Sequence, residues 1–453
     1  MSPAPRRSAR LPAGIPQRLE LLLLPGAGLV LAFAALTFGA TPAWARAGME
    51  LAVLGLLGVW WLAAVWRGQL SFRVPALFYP MLAIFLFVAL QAFAPLSVYP
   101  PATREQVWEL LAVGGFFFLL YNQLARPGRL ERFLTGLLVF AFALAVFAIL
   151  QGLRFEGKIY WFWQAPEGSS PFGPFINRNH YAAWALMLLP LAWVKFAQWR
   201  RRLEPQVFWG LAVLALGVSV LLSLSRAGLI LFVLAFPLYW LLGRSGRRSR
   251  RWSLAVGLAV VVVAVGLTLA LDTGTLLSRW QTLGELFSRP QAVDEHRWQI
   301  WQDTLGMIRD HLWVGSGLET YGEISDAYRS FYSRLEWHQA HNDYLQWLAE
   351  TGLVGAALAL WFLVTLARTA VEQLRLSPHG PQRRYIVAAL TGCVLVLLHS
   401  LVDFPLRIPA NALLFVALLA VITAPPTATT TLHEGRPHHK KEPTAQTESR
   451  KVG

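Results

Sequence analysis

Cysteine occurs once in the chain, at Cys393 within an apolar run, so neither an internal disulfide nor a cysteine-based metal site is available. Charge is scarce too: 14% of the 453 residues are charged, and 25 acidic residues stand against 40 basic ones. With 55% hydrophobic residues, 20 tryptophans and a mean hydropathy of +0.46, the chain carries more apolar surface than one soluble core can hide. In place of charge stand apolar runs at about 20–40, 49–66, 75–95, 107–125, 132–151, 180–199, 206–223, 226–243, 252–272, 344–367, 385–403 and 409–424. Each is near the ~20 residues that cross a bilayer. The expected fold class is all-α, a polytopic membrane bundle of about twelve transmembrane helices.

The few charges are not evenly spread. Arg6, Arg7, Arg10, Arg18, Arg67, Arg73, Arg126, Arg129, Arg132, Lys195, Arg200 to Arg202, the arginines of 244–251 and those of 368–384 fall at alternate connections, as does the basic tail. Acidic residues favour the other set. Short basic loops resist translocation, so both termini are expected in the cytoplasm of a bacterial inner membrane protein. The formal charge of +15 is then a topology signal, and a nucleic-acid reading loses its force. Residues 1–19 would form a cytoplasmic segment, 20–271 the first nine helices, 272–343 a large periplasmic loop, 344–424 the last three helices and 425–453 a disordered cytoplasmic tail, with His438 and His439 solvated there. The early arginines, the first apolar run and Ala43-Trp44-Ala45 resemble a cleavable signal, yet the run is long enough to span, so a retained first helix is expected.

Two outer loops depart from the short connections. The first, about 152–176, carries Trp161-Phe162-Trp163, either interfacial anchors or a platform for stacking sugars. The second, about 272–341, is long enough to need a functional reason. Within it Asp294 to Asp310 reads as an amphipathic helix, with Trp298, Trp301, Leu305 and Ile308 on one face toward the membrane or the loop core. A glycine turn at Gly315-Ser316-Gly317 and a helix over Ser325–Glu336 follow, leading to His338 and His341.

His341 begins a pattern of His, then Asn, nine residues, Gly352, two residues and Gly355. Together with Phe175-Ile176-Asn177-Arg178-Asn179-His180-Tyr181-Ala182, Ser225-Arg226-Ala227-Gly228 and Gly315-Ser316-Gly317, this resembles the O-antigen ligase and O-antigen polymerase family of bacterial membrane glycan-transfer enzymes. The resemblance implies a glycosyltransferase that moves a glycan from a polyprenyl-diphosphate carrier, such as undecaprenyl diphosphate, to an acceptor hydroxyl. That chemistry serves lipopolysaccharide or exopolysaccharide assembly. Lipid core, protein or a growing polysaccharide are the possible acceptors, and a flippase or chain-length protein the possible partners.

Under that resemblance the candidate catalytic residues are His341, Arg226 and Arg297. A departing diphosphate needs fixed cations, and arginine binds phosphate oxygens through two parallel hydrogen bonds. An imidazole titrates near neutrality, so His341 could serve as base for the acceptor hydroxyl or as a donor to the diphosphate. Arg178, Asn179, Asn342, His338 and Arg407 are candidate substrate-binding residues. Competing structural roles are a snorkelling Arg226, a solvated Arg297, helix entry for Arg178 and capping by Asn342. His399, Asp403 and Arg407 lie in the last outer turn, where Asp403 and Arg407 would pair only if the helix ran through Pro405.

His338, His341, Glu336 and Asp343 raise a metal alternative, but the resemblance implies a metal-independent, cofactor-free reaction in which arginines supply the charge. Ligase and polymerase remain alternatives. A twelve-helix transporter is a third, disfavoured because its central loop would be cytoplasmic and its substrate groups at mid-membrane.

Overall fold

The computed structural model describes residues 14–68, 72–198, 202–243, 247–271, 297–332 and 338–425. Nine helices come first: α1 (Gly14–Leu36), α2 (Ala43–Trp66), α3 (Phe78–Phe93), α4 (Pro100–Leu124), α5 (Arg129–Leu153), α6 (Arg178–Gln198), α7 (Leu203–Leu222), α8 (Arg226–Gly243) and α9 (Arg247–Leu271). Two short helices follow, α10 (Arg297–Asp310) and α11 (Tyr321–Tyr328), and then α12 (Asp343–Leu376), α13 (Pro381–His399) and α14 (Pro409–Thr423). A small antiparallel hairpin, β1 (Lys158–Ile159) with β2 (Trp163–Gln164), is the only sheet among the described residues.

The molecule is an all-α polytopic membrane bundle. Among the described residues, eight helices are long and apolar enough to cross a membrane, and α3, the apolar part of α9 and α14 are shorter apolar helices. α6 lies at the centre, buried continuously from His180 to Lys195 and in contact with α7, α13 and α8. α14 is likewise buried along its length except at Ala412, which is partly exposed. Exposed leucines, tryptophans and phenylalanines instead cover α1, α2 and α3, as a lipid-facing rim requires.

The two ends of the bundle differ. At one end Glu20 binds Arg67 and Arg126, and the buried Lys195 ammonium meets Glu131 and donates to Thr135 Oγ1 at 2.7 Å. The opposite end carries the hairpin, α10, α11 and the turn between α13 and α14. In the hairpin loop Phe162 is exposed, while Trp163 packs on Phe38 with ring centroids 4.2 Å apart.

The long loop differs from its expected outline. Residues 272–296 and 333–337, with the N-terminal segment to 13 and the tail beyond 425, lie outside the described residues, so the first turn placed at Asp294 and the stretch to Glu336 fall there. α10 buries Ile300, Thr304, Met307 and Ile308, and Trp301 donates Nε1–H to the Ala340 carbonyl at 3.0 Å. Trp298 and Leu305 face outward, so the expected stripe is split between loop core and exterior. α11 starts four residues earlier than expected, because the Glu350 carboxylate accepts the Tyr321 N–H at 3.2 Å, and it ends at Tyr328.

Candidate active site

α12 is two helical pieces joined at Gly352, whose φ of +61° and ψ of −162° interrupt the helix. The break exposes backbone groups, and the 312–317 segment takes them up. Leu353 N donates to Leu312 O at 2.9 Å and Val354 N to Trp313 O at 3.1 Å, while Ser316 N and Gly317 N donate to Ala349 O and Glu350 O at 3.1 and 3.0 Å. A Cβ at Gly315 would lie inside the Glu350 carbonyl group, and one at Gly352 would come within 2.5 Å of the Trp313 carbonyl. Gly315 and Gly352 are therefore the condition for docking the loop on the helix.

The first turn of α12 is fixed from the other side. Asn342 is its N-cap, its carboxamide oxygen accepting from Tyr344 N and Leu345 N at 3.0 and 3.1 Å. Asp343 N donates to the carbonyls of Ser400 and Asp403, and Ser400 Oγ donates to Asp343 Oδ2 at 2.7 Å. His341, held just before this cap with φ +50°, faces the turn after α13. Left-handed backbone at a non-glycine residue costs roughly 1–3 kcal/mol and persists where surrounding contacts enforce it.

That turn gathers the polar groups. His341 Nδ1 lies 3.4 Å from Asp403 Oδ1, longer than a strong hydrogen bond. Asp403 is buried, and burial pushes its carboxyl up. The His341 imidazole beside it, with His180 and His399, outweighs that effect and holds it below the usual carboxylate range. The Phe404 ring stands edge-on between His180 and His341, with centroids 4.7 and 5.1 Å away. Arg297 reaches the same turn from α10, donating Nη1–H to the Val402 carbonyl at 2.7 Å. His180 Nε2, both His399 nitrogens and Asp403 Oδ2 are buried without a hydrogen-bond partner among the described residues.

The other expected residues stand around this centre in two groups. Arg178 and Asn179 open α6, where Asn177 Oδ1 accepts from Asn179 N at 2.8 Å. Arg226 opens α8, half-buried after Leu224 with its φ of +56°. A Cβ at Gly228 would come within 2.9 Å of the Ala182 methyl, so the α8 and α6 starts are adjacent. Arg407 is committed elsewhere: it pairs with Glu319 and Glu350 at 2.8 Å each and has Nε 3.6 Å from Asp343. Burial works against its charge, but those three carboxylates raise its pKa above the ordinary guanidinium value. The Asp403–Arg407 pair considered from spacing does not form, because α13 ends at His399 and Pro405 starts a 3-10 turn. His338 lies exposed against Gly322. Among the described residues no group of three or more His, Cys, Asp or Glu is arranged to hold a metal ion.

Sequence reasoning did not assign Asp403 to His341, nor Glu319 and Glu350 to Arg407. A signal was present in Glu350, an acidic residue inside the apolar run 344–367.

No curated protein matches the chain. Residues 211–360, from within α7 through α8, α9, α10 and α11 to the middle of α12, match the family model described as O-antigen ligase. That stretch, about a third of the chain, includes Arg226, Arg297 and His341, and over it this multi-pass membrane protein is similar to the O-antigen ligase family of glycan-assembly proteins.

Proposed function

We propose that the protein is an inner-membrane glycosyltransferase that moves a glycan from a polyprenyl-diphosphate carrier to an acceptor hydroxyl at the end of the bundle bearing α10 and α11, on the periplasmic side. The observation that carries this reading is the meeting of His341 and Arg297 on consecutive residues of one turn, Asp403 and Val402. A base and a fixed cation at one place are what transfer from a diphosphate requires.

With Nδ1 turned to Asp403, His341 presents Nε2 to the acceptor hydroxyl and takes its proton as the oxygen attacks the anomeric carbon. The bond from that carbon to the diphosphate oxygen breaks, and the electron pair leaves on the diphosphate, held by Arg297 and Arg226 with Arg178 at the adjacent helix start. A single displacement inverts the anomeric centre. The unpartnered buried atoms of His180, His399 and Asp403 support a polar substrate here, since buried polar groups otherwise find partners. Arginines supply the charge that a divalent ion would bring, so the reaction is metal-independent.

The test offers purified protein in nanodiscs a polyprenyl-diphosphate oligosaccharide, alone and with acceptors, in the presence of EDTA. His341→Ala is expected to lower transfer by about 10²–10⁴-fold, the usual worth of a positioned base. Arg226→Gln and Arg297→Gln should each lower it while the protein stays folded. Growth of the carrier-linked chain without an added acceptor would identify a polymerase, and transfer to the acceptor a ligase. Undiminished transfer by His341→Ala, or retained anomeric configuration, would remove the proposed mechanism.

A further inference from the structure

At the end of the bundle away from His341, the seam between α1 and α5 contains a cavity of about 580 Å³ whose lining includes Gly28, Ala32, Arg129, Arg132, Gly136 and Phe140. It exists because side chains are missing. A Cβ at Gly28 or Gly136 would meet no atom within 4 Å, whereas one at Gly26 would press on Leu56 and one at Gly115 on Leu57. Glycine inside a helix costs roughly 0.5–1 kcal/mol relative to alanine, commonly offset by close helix approach. Gly28 and Gly136 make no such approach; they leave an apolar slot. Leu21 and Leu29 on its rim are 62% and 70% exposed, so the slot opens to the bilayer.

Charge at its mouth is one-sided. Glu20 is neutralised by Arg67 and by both amino groups of Arg126. Arg129 donates to the Gln123 carboxamide and Arg132 donates Nε–H to the Gly128 carbonyl at 3.2 Å, both neutral acceptors. Among the described residues no carboxylate lies within ion-pair distance of either arginine. Two guanidiniums with no carboxylate at ion-pair distance among the described residues, above an apolar slot, match an amphiphile with an anionic phosphate head and a hydrocarbon chain.

We propose that this seam binds an anionic diacyl phospholipid, its phosphate on Arg129 and Arg132 and one acyl chain along Gly28, Ala32 and Gly136. The site is separate from the glycan-transfer centre and does not depend on it.

Native mass spectrometry of protein released from nanodiscs of mixed phosphatidylcholine and phosphatidylglycerol tests this. Wild type should retain one phosphatidylglycerol in preference to phosphatidylcholine. Arg129→Gln with Arg132→Gln should lower that preference by roughly 30-fold, at about 1 kcal/mol for each basic residue. Gly28→Leu with Gly136→Leu should remove the lipid while keeping thermal stability in phosphatidylcholine, since the added Cβ atoms meet nothing. Arg73→Gln, an exposed basic residue at the same end, should leave retention unchanged. The proposal is overturned by equal retention of the two lipids, by unchanged retention in both double variants, or by an equal loss in Arg73→Gln. Displacement of the phosphatidylglycerol by added polyprenyl phosphate would overturn it too, assigning the seam to the carrier.

Discussion

Arg407→Met is expected to destabilise the protein by about 3–5 kcal/mol, the range for removing one partner of a buried ion pair. Glu350 carries most of that figure: its carboxylate is fully buried, lies 2.8 Å from the guanidinium, and also holds the Tyr321 N–H and the Gln346 amide. Glu319 is 29% exposed, so its 2.8 Å bond is partly screened by solvent, and the 3.6 Å contact with Asp343 is weaker still. Without the cation, three carboxylates face one another beneath the docked loop. Adding Glu350→Gln to Arg407→Met should recover part of the loss, because the buried charge is removed with its partner, giving a coupling toward the upper end of about 0.5–3 kcal/mol. Arg407→Lys should fall between, since one ammonium cannot reproduce the planar fork. Reversible denaturation in mixed micelles provides the free energies, and carrier binding is measured alongside. If Arg407→Met were as stable as wild type and lost only carrier affinity, Arg407 would be a substrate ligand and the assignment of a structural clamp would be wrong.

Gly352→Ala should destabilise the protein by more than about 1 kcal/mol, since the new methyl meets the Trp313 carbonyl at a φ of +61°; equal thermal stability would show that the loop does not dock on the helix break. Asn342→Ala should cost about 1 kcal/mol in the same denaturation assay through loss of the two N-cap bonds, and carrier affinity left intact would separate capping from substrate binding. Asp403→Asn should lower both stability and transfer. Because the folded-state pKa of Asp403 is depressed, its contribution is full above the unfolded value of about 3.9 and is lost as pH falls through the folded value. The stability gap between wild type and Asp403→Asn should therefore stay flat from about pH 5 to pH 8 and close in stronger acid; a gap that widened with acidification would contradict the environment of His180, His341 and His399 around that carboxyl.

Much of this was written in one dimension. Apolar runs of bilayer length specify an all-α membrane bundle because hydrocarbon demands that each spanning backbone satisfy its own hydrogen bonds, and that requirement depends on composition alone. The pattern from His341 to Gly355 likewise marked the histidine and the two glycines. What the glycines do was not legible: only the docked 312–317 segment shows that Gly352 makes room for another backbone, while Gly355 leaves room for the Thr351 side chain. Spacing also suggested Asp403 with Arg407, four residues apart, but Pro405 turns the chain and tertiary contacts give Asp403 to three imidazoles and Arg407 to three carboxylates. Helical periodicity reports neighbours along one element, whereas this centre is assembled from α6, α10, the start of α12 and the turn after α13. The sequence alone determined an all-α membrane bundle; the tertiary structure decided which charges meet, because burial makes an ion pair depend on three-dimensional proximity and on what remains to solvate it.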